Sequence, residues 1–196
     1  MRRLAAALVV VALFALTACS TLPVASSSAP AGSFGPPASG GAIGSVTPVT
    51  IDTTLLAVLP REVSSIPVIE SPEGEADAQA DAVLPTIATA AVAAVAVDAA
   101  TSDLVYVLVV RLRPGVLTAD RYRDWRDSYD EGACLGVSRV VGHAEVNIGV
   151  HKVFIGTCAN GLRTYHTWLE DKAILISASS TGTREFGVLL FGTLRT

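Results

Sequence analysis

The chain has 196 residues, a formal net charge of −4 and a hydrophobic fraction of 51%, with only 16% of residues charged. That length suits one ordinary domain with additions and excludes two full-sized ones. The acidic balance argues against nucleic acid as a partner, and the apolar fraction excludes a wholly disordered chain.

Arg2 and Arg3 precede an unbroken apolar run from Leu4 to Leu16. The run is short of the ~20 residues that span a bilayer core and has the size of a signal-peptide apolar region. Leu16-Thr17-Ala18-Cys19 closes it. These four residues resemble the lipobox of bacterial lipoproteins, and the resemblance covers only Met1 to Ser20. It implies a signal peptide over residues 1–18, cleavage between Ala18 and Cys19, and a diacylglyceryl group, with palmitate-type acyl chains, on Cys19. Two or three acyl chains hold a protein firmly at a membrane, where a single one does not. The implied location is extracytoplasmic and lipid-anchored. In a monoderm that is the outer face of the cell membrane; in a diderm, Ser20 permits sorting to the outer membrane.

Residues 19–50 follow as a tether. Ser20 to Thr50 carries no charge and holds five Pro, five Gly and seven Ser. It has neither helical nor strand periodicity, and too few large apolar groups to offset the entropy of ordering. A flexible coil of this length reaches about 30 Å.

Residues 51–196 have the size and composition of a single globular domain. Thr53 to Leu59 reads as a helical turn stopped by Pro60, and Ile66 to Glu70 as a short strand. Ser71-Pro72-Glu73-Gly74 reads as a turn. Glu75 to Ala88 reads as one helix that Pro85 kinks or ends. Ala90 to Val97 is compatible with an extension of that helix but reads better as an apolar strand, joined by a turn at Asp98 to Asp103 to a second one, Leu104 to Leu112. The second is β-branched and nearly all apolar, the pattern of a central strand covered on both faces.

Thr118 is suited to cap a helix running to about Glu131. Its Tyr122, Trp125 and Tyr129 share one face, while Arg123–Asp127 and Arg126–Asp130 have the spacing of surface ion pairs. Gly132 is placed to end it. A meander follows: Ala144 to Ile148, Lys152 to Cys158, a hairpin turn at Asn160-Gly161, Leu162 to Glu170, and Ala173 to Ser180. Thr181 or Thr183 then caps a last helix, Arg184 to Leu194. The order predicts an α+β fold, an antiparallel sheet with two or three helices packed on it.

With Cys19 taken by lipid, Cys134 and Cys158 are expected to form a disulfide, as paired cysteines do in exported domains. His143, His151 and His166 are the three histidines, and no ligand spacing unites them, so no metal and no cofactor are expected. On its strand, His166 alternates with Thr164 and Trp168 on one face, against Arg163, Tyr165 and Thr167 on the other. Ser177, Ser179 and Ser180 lack a nucleophile-elbow motif.

Tyr122, Trp125, Tyr129, His166 and Trp168 are therefore candidates for an interaction surface, since Tyr, Trp and Arg dominate binding hot spots. The leading expectation is a non-catalytic binding domain in the cell envelope, with an envelope protein or a small ligand as partner. The alternatives are an envelope hydrolase using His166 with a nearby Ser or Asp, and a structural assembly factor.

Overall fold

The computed structural model describes residues 47–135 and 139–195. The expected signal peptide, the expected lipidation site Cys19 and nearly all of the expected tether lie outside those residues. The described chain folds as a single α+β domain on an eight-stranded, mostly antiparallel sheet.

The N-terminal part is a series of short pieces: β1 (Thr50–Ile51), a 3-10 turn (Thr53–Val58), β2 (Glu62–Val63), β3 (Ile66–Pro67) and β4 (Ile69–Glu70). Asp52 accepts from the Thr54 N–H to open the 3-10 turn. The strand expected over 66–70 is thus two fragments, with β3 turned aside to pair β2 and β4 joining the main sheet.

Ser71-Pro72-Glu73-Gly74 is the start of a helix rather than a free turn. Ser71 Oγ accepts from the Gly74 N–H, and Pro72 opens α1 (Pro72–Ala80), where its missing N–H costs nothing. The single helix expected to Ala88 is two. Asp81 Oδ1 accepts from the N–H groups of both Val83 and Leu84 at 2.7 Å, which ends α1 and starts the one-turn α2 (Leu84–Ile87).

β5 (Ala88–Asp98) and β6 (Asp103–Leu112) form the central hairpin, and both are covered on both faces, as the apolar run required. α3 (Ala119–Leu135) begins where Thr118 Oγ1 accepts from the Arg121 N–H. It runs past Gly132, which stays inside the helix because the last turn is held by a disulfide from Cys134 to Cys158. Its surface pairs are Arg123–Asp120 and Arg126–Asp127, not the expected four-residue pairs, because Asp130 is turned inward.

The meander is β7 (Val140–Ile148), β8 (His151–Cys158), β9 (Arg163–Leu169) and β10 (Ile174–Thr181), and β10 closes against β6. The strand order is β1-β5-β6-β10-β9-β8-β7, with β4 also on β5 and only β1 parallel to its neighbour. Gly161, at φ +89°, supplies the left-handed residue of the Asn-Gly hairpin. α4 (Phe186–Gly192) is shorter than expected and lacks a threonine cap; Ser180 Oγ accepts its Gly187 N–H instead.

Alternate residues of the strands feed two cores. Val92, Val107, Ile176 and Tyr165 pack against α4 and the 3-10 turn. Ala91, Leu108, Val110 and Leu175 pack beneath α1, α2 and α3. Among the described residues no helix is long and apolar enough to cross a membrane.

Candidate functional site

On the α3 side of the sheet, the strands present a row of polar groups, where the opposite side is mainly apolar, with Thr167 and Ser180 as its buried polar residues on β9 and β10. β9 and β10 pair so that His166 lies directly across from Ser177. Thr164 shares the face of His166, one pleat along, and is buried with it. α3 lowers Asp130 onto this row. Tyr122, Arg126, Asp130 and Cys134 recur every four residues, and the Cys134–Cys158 disulfide turns that line toward β8 and β9.

Asp130 is 1% exposed and fully engaged. Its Oδ1 accepts from His166 Nε2 at 2.8 Å and from the Thr164 hydroxyl. Its Oδ2 meets His143 Nε2 of β7 at 3.0 Å, with the His143 side chain half exposed. Thr164 Oγ1 in turn accepts from the Gly156 N–H. Burial acts to raise the Asp130 carboxyl, but the hydrogen bonds from His166 and Thr164, with the two imidazoles nearby, outweigh it and hold the group below its ordinary range. For His166 the balance is reversed. Burial pushes it below its ordinary value of 6.5, against the pull of Asp130, so the imidazole is neutral.

A neutral ring that donates from Nε2 must accept at Nδ1. Ser177 therefore donates its hydroxyl proton to Nδ1 over 3.0 Å, and its oxygen accepts from Trp125 Nε1–H, also at 3.0 Å. The bonds run in one direction: Trp125 to Ser177, Ser177 to His166, His166 to Asp130. Tyr129 adds an edge-to-face contact on the His166 ring, 5.1 Å between centroids, and its phenol oxygen accepts from Ser179. Burial raises the Tyr129 phenol, so it too is neutral.

Asp130, His166 and Ser177 are the three residue types of a hydrolytic triad, and the structure brings them together beneath α3. All three are at most 1% exposed. The serine oxygen accepts from the Trp125 indole and is shut away from solvent. The ladder's chemical effect is to fix Trp125 and Tyr129 in one orientation.

Those two rings form the wall of a cleft of about 680 Å³, a volume ordinary for small-molecule sites. The opposite wall is the α1–α2 junction with Asp81, Val83 and Ile87, and the floor is Tyr106 of β6 with Ser179 of β10. Asp81 and Asp124 supply carboxylates at this cleft against one cation, Arg121, whose guanidinium is tied back to the Val116 carbonyl. Asp124 is exposed.

The five residues singled out in the sequence are thus distributed around α3. Trp125 and Tyr129 wall the cleft. His166 lies beneath them, fully buried. Tyr122 and Trp168 stand on the other flank of the helix with Phe154, in a separate recess of about 400 Å³ where Arg126 stacks 4.2 Å above the Phe154 ring. Sequence reasoning did not single out Asp130, Thr164, Tyr106, Asp81 or Asp124. His143 and Ser177 were noted without a partner. Among the described residues no group of three or more His, Cys, Asp or Glu side chains is arranged to hold a metal ion.

The fold and site are those of an α+β domain with a cleft between α3 and the α1–α2 junction, walled on one side by Trp125 and Tyr129. Set against family models, curated proteins and solved structures, the chain matches none of them.

Proposed function

We propose that this chain is an exported lipoprotein, anchored through Cys19, whose domain binds a small amphipathic ligand in the cleft beside α3. The cleft carries the reading: an aromatic wall held rigid from below, an opposite wall with Val83 and Ile87, a floor of Tyr106 and Ser179, and a carboxylate-bearing border. That combination suits a ligand with an apolar or aromatic body and a cationic end, because ring faces and carboxylates both attract cations. The Cys134–Cys158 disulfide is compatible with an extracytoplasmic compartment, and the lipobox residues supply the anchor. Asp130, His166 and Ser177 serve as positioning residues for Trp125 and Tyr129.

The binding half is tested by titrating the exported chain with decyltrimethylammonium and following tryptophan fluorescence. A saturable change that persists in Trp168→Phe and disappears in Trp125→Phe is expected. Equal responses from the two variants, or no saturable response, would contradict the site. The anchoring half is tested separately by fractionating cells that express Cys19→Ser: release from membranes or blocked processing is expected, and unchanged anchoring refutes it.

A further inference from the structure

α3 separates two hollows of opposite charge. The cleft beside Trp125 and Tyr129 has Asp81 and Asp124 at its border. The recess of about 400 Å³ on the other flank has no acidic residue in its lining. Arg123 and Arg126 of α3 and Lys152 of β8 surround it, with Tyr122, Phe154 and Trp168 between them. Arginine and lysine are charged throughout the ordinary pH range, so the positive sign needs no protonation event. Their carboxylate partners, Asp120, Asp127 and Glu145, are not part of the lining. The Arg123–Asp120 and Lys152–Glu145 pairs are exposed, and exposed pairs are weak enough to yield to a better-placed anion.

Two donors here have no partner. The Arg126 side chain is only 14% exposed; its guanidinium lies 4.2 Å from the centre of the Phe154 ring, and Nε donates to Asp127 at 3.2 Å. Neither Nη group has a hydrogen-bond partner among the described residues. A guanidinium held over a ring presents a fixed fork of N–H donors, which matches the oxygens of a carboxylate or phosphate. The second donor is the Tyr122 hydroxyl. It is buried without a hydrogen-bond partner among the described residues, an unfavourable state that few native hydroxyls occupy. Burial raises the phenol above its ordinary range, and Arg126 is the strongest charge acting on it, so the hydroxyl stays a donor beside that guanidinium.

We propose that this recess binds a small aromatic anion, an aryl carboxylate or aryl phosphate, with its oxygens on the Arg126 fork and the Tyr122 hydroxyl and its ring against the partly exposed Trp168. Arg123 and Lys152 add attraction at the rim and draw the anion to a chain whose net charge is negative. The site is independent of the cleft and takes the opposite charge. A one-ring anion in a recess this small exchanges quickly and is not carried through purification, so its binding is read by titration.

The probes are benzoate and phenyl phosphate, titrated into the exported full chain carrying Trp125→Phe, in which Trp168 is the one remaining tryptophan. A saturable change in its fluorescence is expected with at least one of them, and none with benzyl alcohol, which has the ring without the charge. Inorganic phosphate, with the charge and no ring, should bind about tenfold more weakly. Arg126→Gln should weaken anion binding at least about tenfold. Tyr122→Phe should weaken it about threefold without lowering the denaturation midpoint, because the hydroxyl it removes has no partner in the folded chain. Lys152→Gln, a change at the surface, should weaken it about twofold. No saturable response to either anion overturns the proposal. So does an equal response to benzyl alcohol, inorganic phosphate bound as tightly as the aryl anions, or undiminished affinity in either Arg126→Gln or Tyr122→Phe. The cleft is read through Trp125 with a cationic probe, so either site can fail without the other.

Discussion

The two faces of the central sheet are built on different physics. On one, Phe186, Leu190 and Phe191 of α4 meet Leu55 and Leu59 of the 3-10 segment, all at most 2% exposed, over valines of β5 and β6. On the other, α3 sets its own buried Asp130 against Thr164, His166 and Ser177, and its Trp125 and Tyr129 are only partly covered while Tyr122 is buried. Apolar packing is non-directional and fills space to crystal-like density. A hydrogen-bonded ladder is directional: it fixes α3 at one height and one rotation without requiring that the space beside it be filled. Both faces bury apolar side chains, and the polar ladder on the α3 face leaves a cleft with a rigid wall beside it.

Removing the centre of the ladder is the largest single disturbance expected. Asp130→Ala strips partners from three buried or half-buried groups and should cost about 3–5 kcal/mol, read as a fall in the denaturation midpoint. A loss below 1 kcal/mol would mean the ladder holds nothing. Next comes the disulfide, which ties the last turn of α3 to β8. Cys134→Ser with Cys158→Ser should cost roughly 3 kcal/mol, and reductant should lower the wild-type midpoint to match. An unmoved midpoint would detach the disulfide from the stability of this face.

Acid sharpens the contrast further. His166 has a lowered affinity for protons in the folded state, so stability is present above its unfolded value of 6.5 and is lost as pH falls from there toward the folded value. Asp130 is likewise lowered, and its contribution is lost only below its unfolded value of 3.8. Two descending steps in melting temperature are expected, and His166→Gln should erase the upper one. A profile flat between pH 7 and 5 in the wild-type chain would place the imidazole in another state.

Two glycines compare the faces directly. A Cβ at Gly187 overlaps the buried Tyr165 ring on the dry face, and one at Gly156 overlaps Thr164 and Asp130 on the polar face. Each alanine variant should cost about 1–3 kcal/mol. Only Gly156→Ala should also weaken ligand binding, as seen in the same fluorescence titration; equal loss of binding in both would mean that the ladder does not set the cleft.

Much of the dry face was legible in the sequence. The β-branched run from Leu104 to Leu112 could only be a strand covered twice, and Asn160-Gly161 fixed a hairpin. Helix termini were less so. Asp81 breaks a helix by capping the next one, and Ser180 replaces a threonine cap through a contact that only β10 and α4 packing creates. The alternation in β7 also misleads, since only Ile148 reaches the core. For the site, alternation placed His166 with Thr164 correctly, but Ser177 needed the β9–β10 register. Asp130 was hidden by competition: four residues after Arg126, it reads as a surface ion pair. The row Tyr122, Arg126, Asp130 and Cys134, with Cys134 bonded to β8, was the available signal that it faces inward. The cleft arises from the spacing of α3 and the α1–α2 junction, which no local pattern encodes.

Gly132 offers the most direct measurement. It lines the cleft within α3, and a Cβ there meets nothing within 4 Å. Gly132→Leu should therefore occupy the cleft while slightly stabilising the helix, by up to about 1 kcal/mol. Native mass spectrometry of the chain purified from its own envelope should show an adduct that is lost on denaturation, and Gly132→Leu should carry none. A bare mass for the wild-type chain, or an adduct that survives in Gly132→Leu, would contradict the cleft as the binding site.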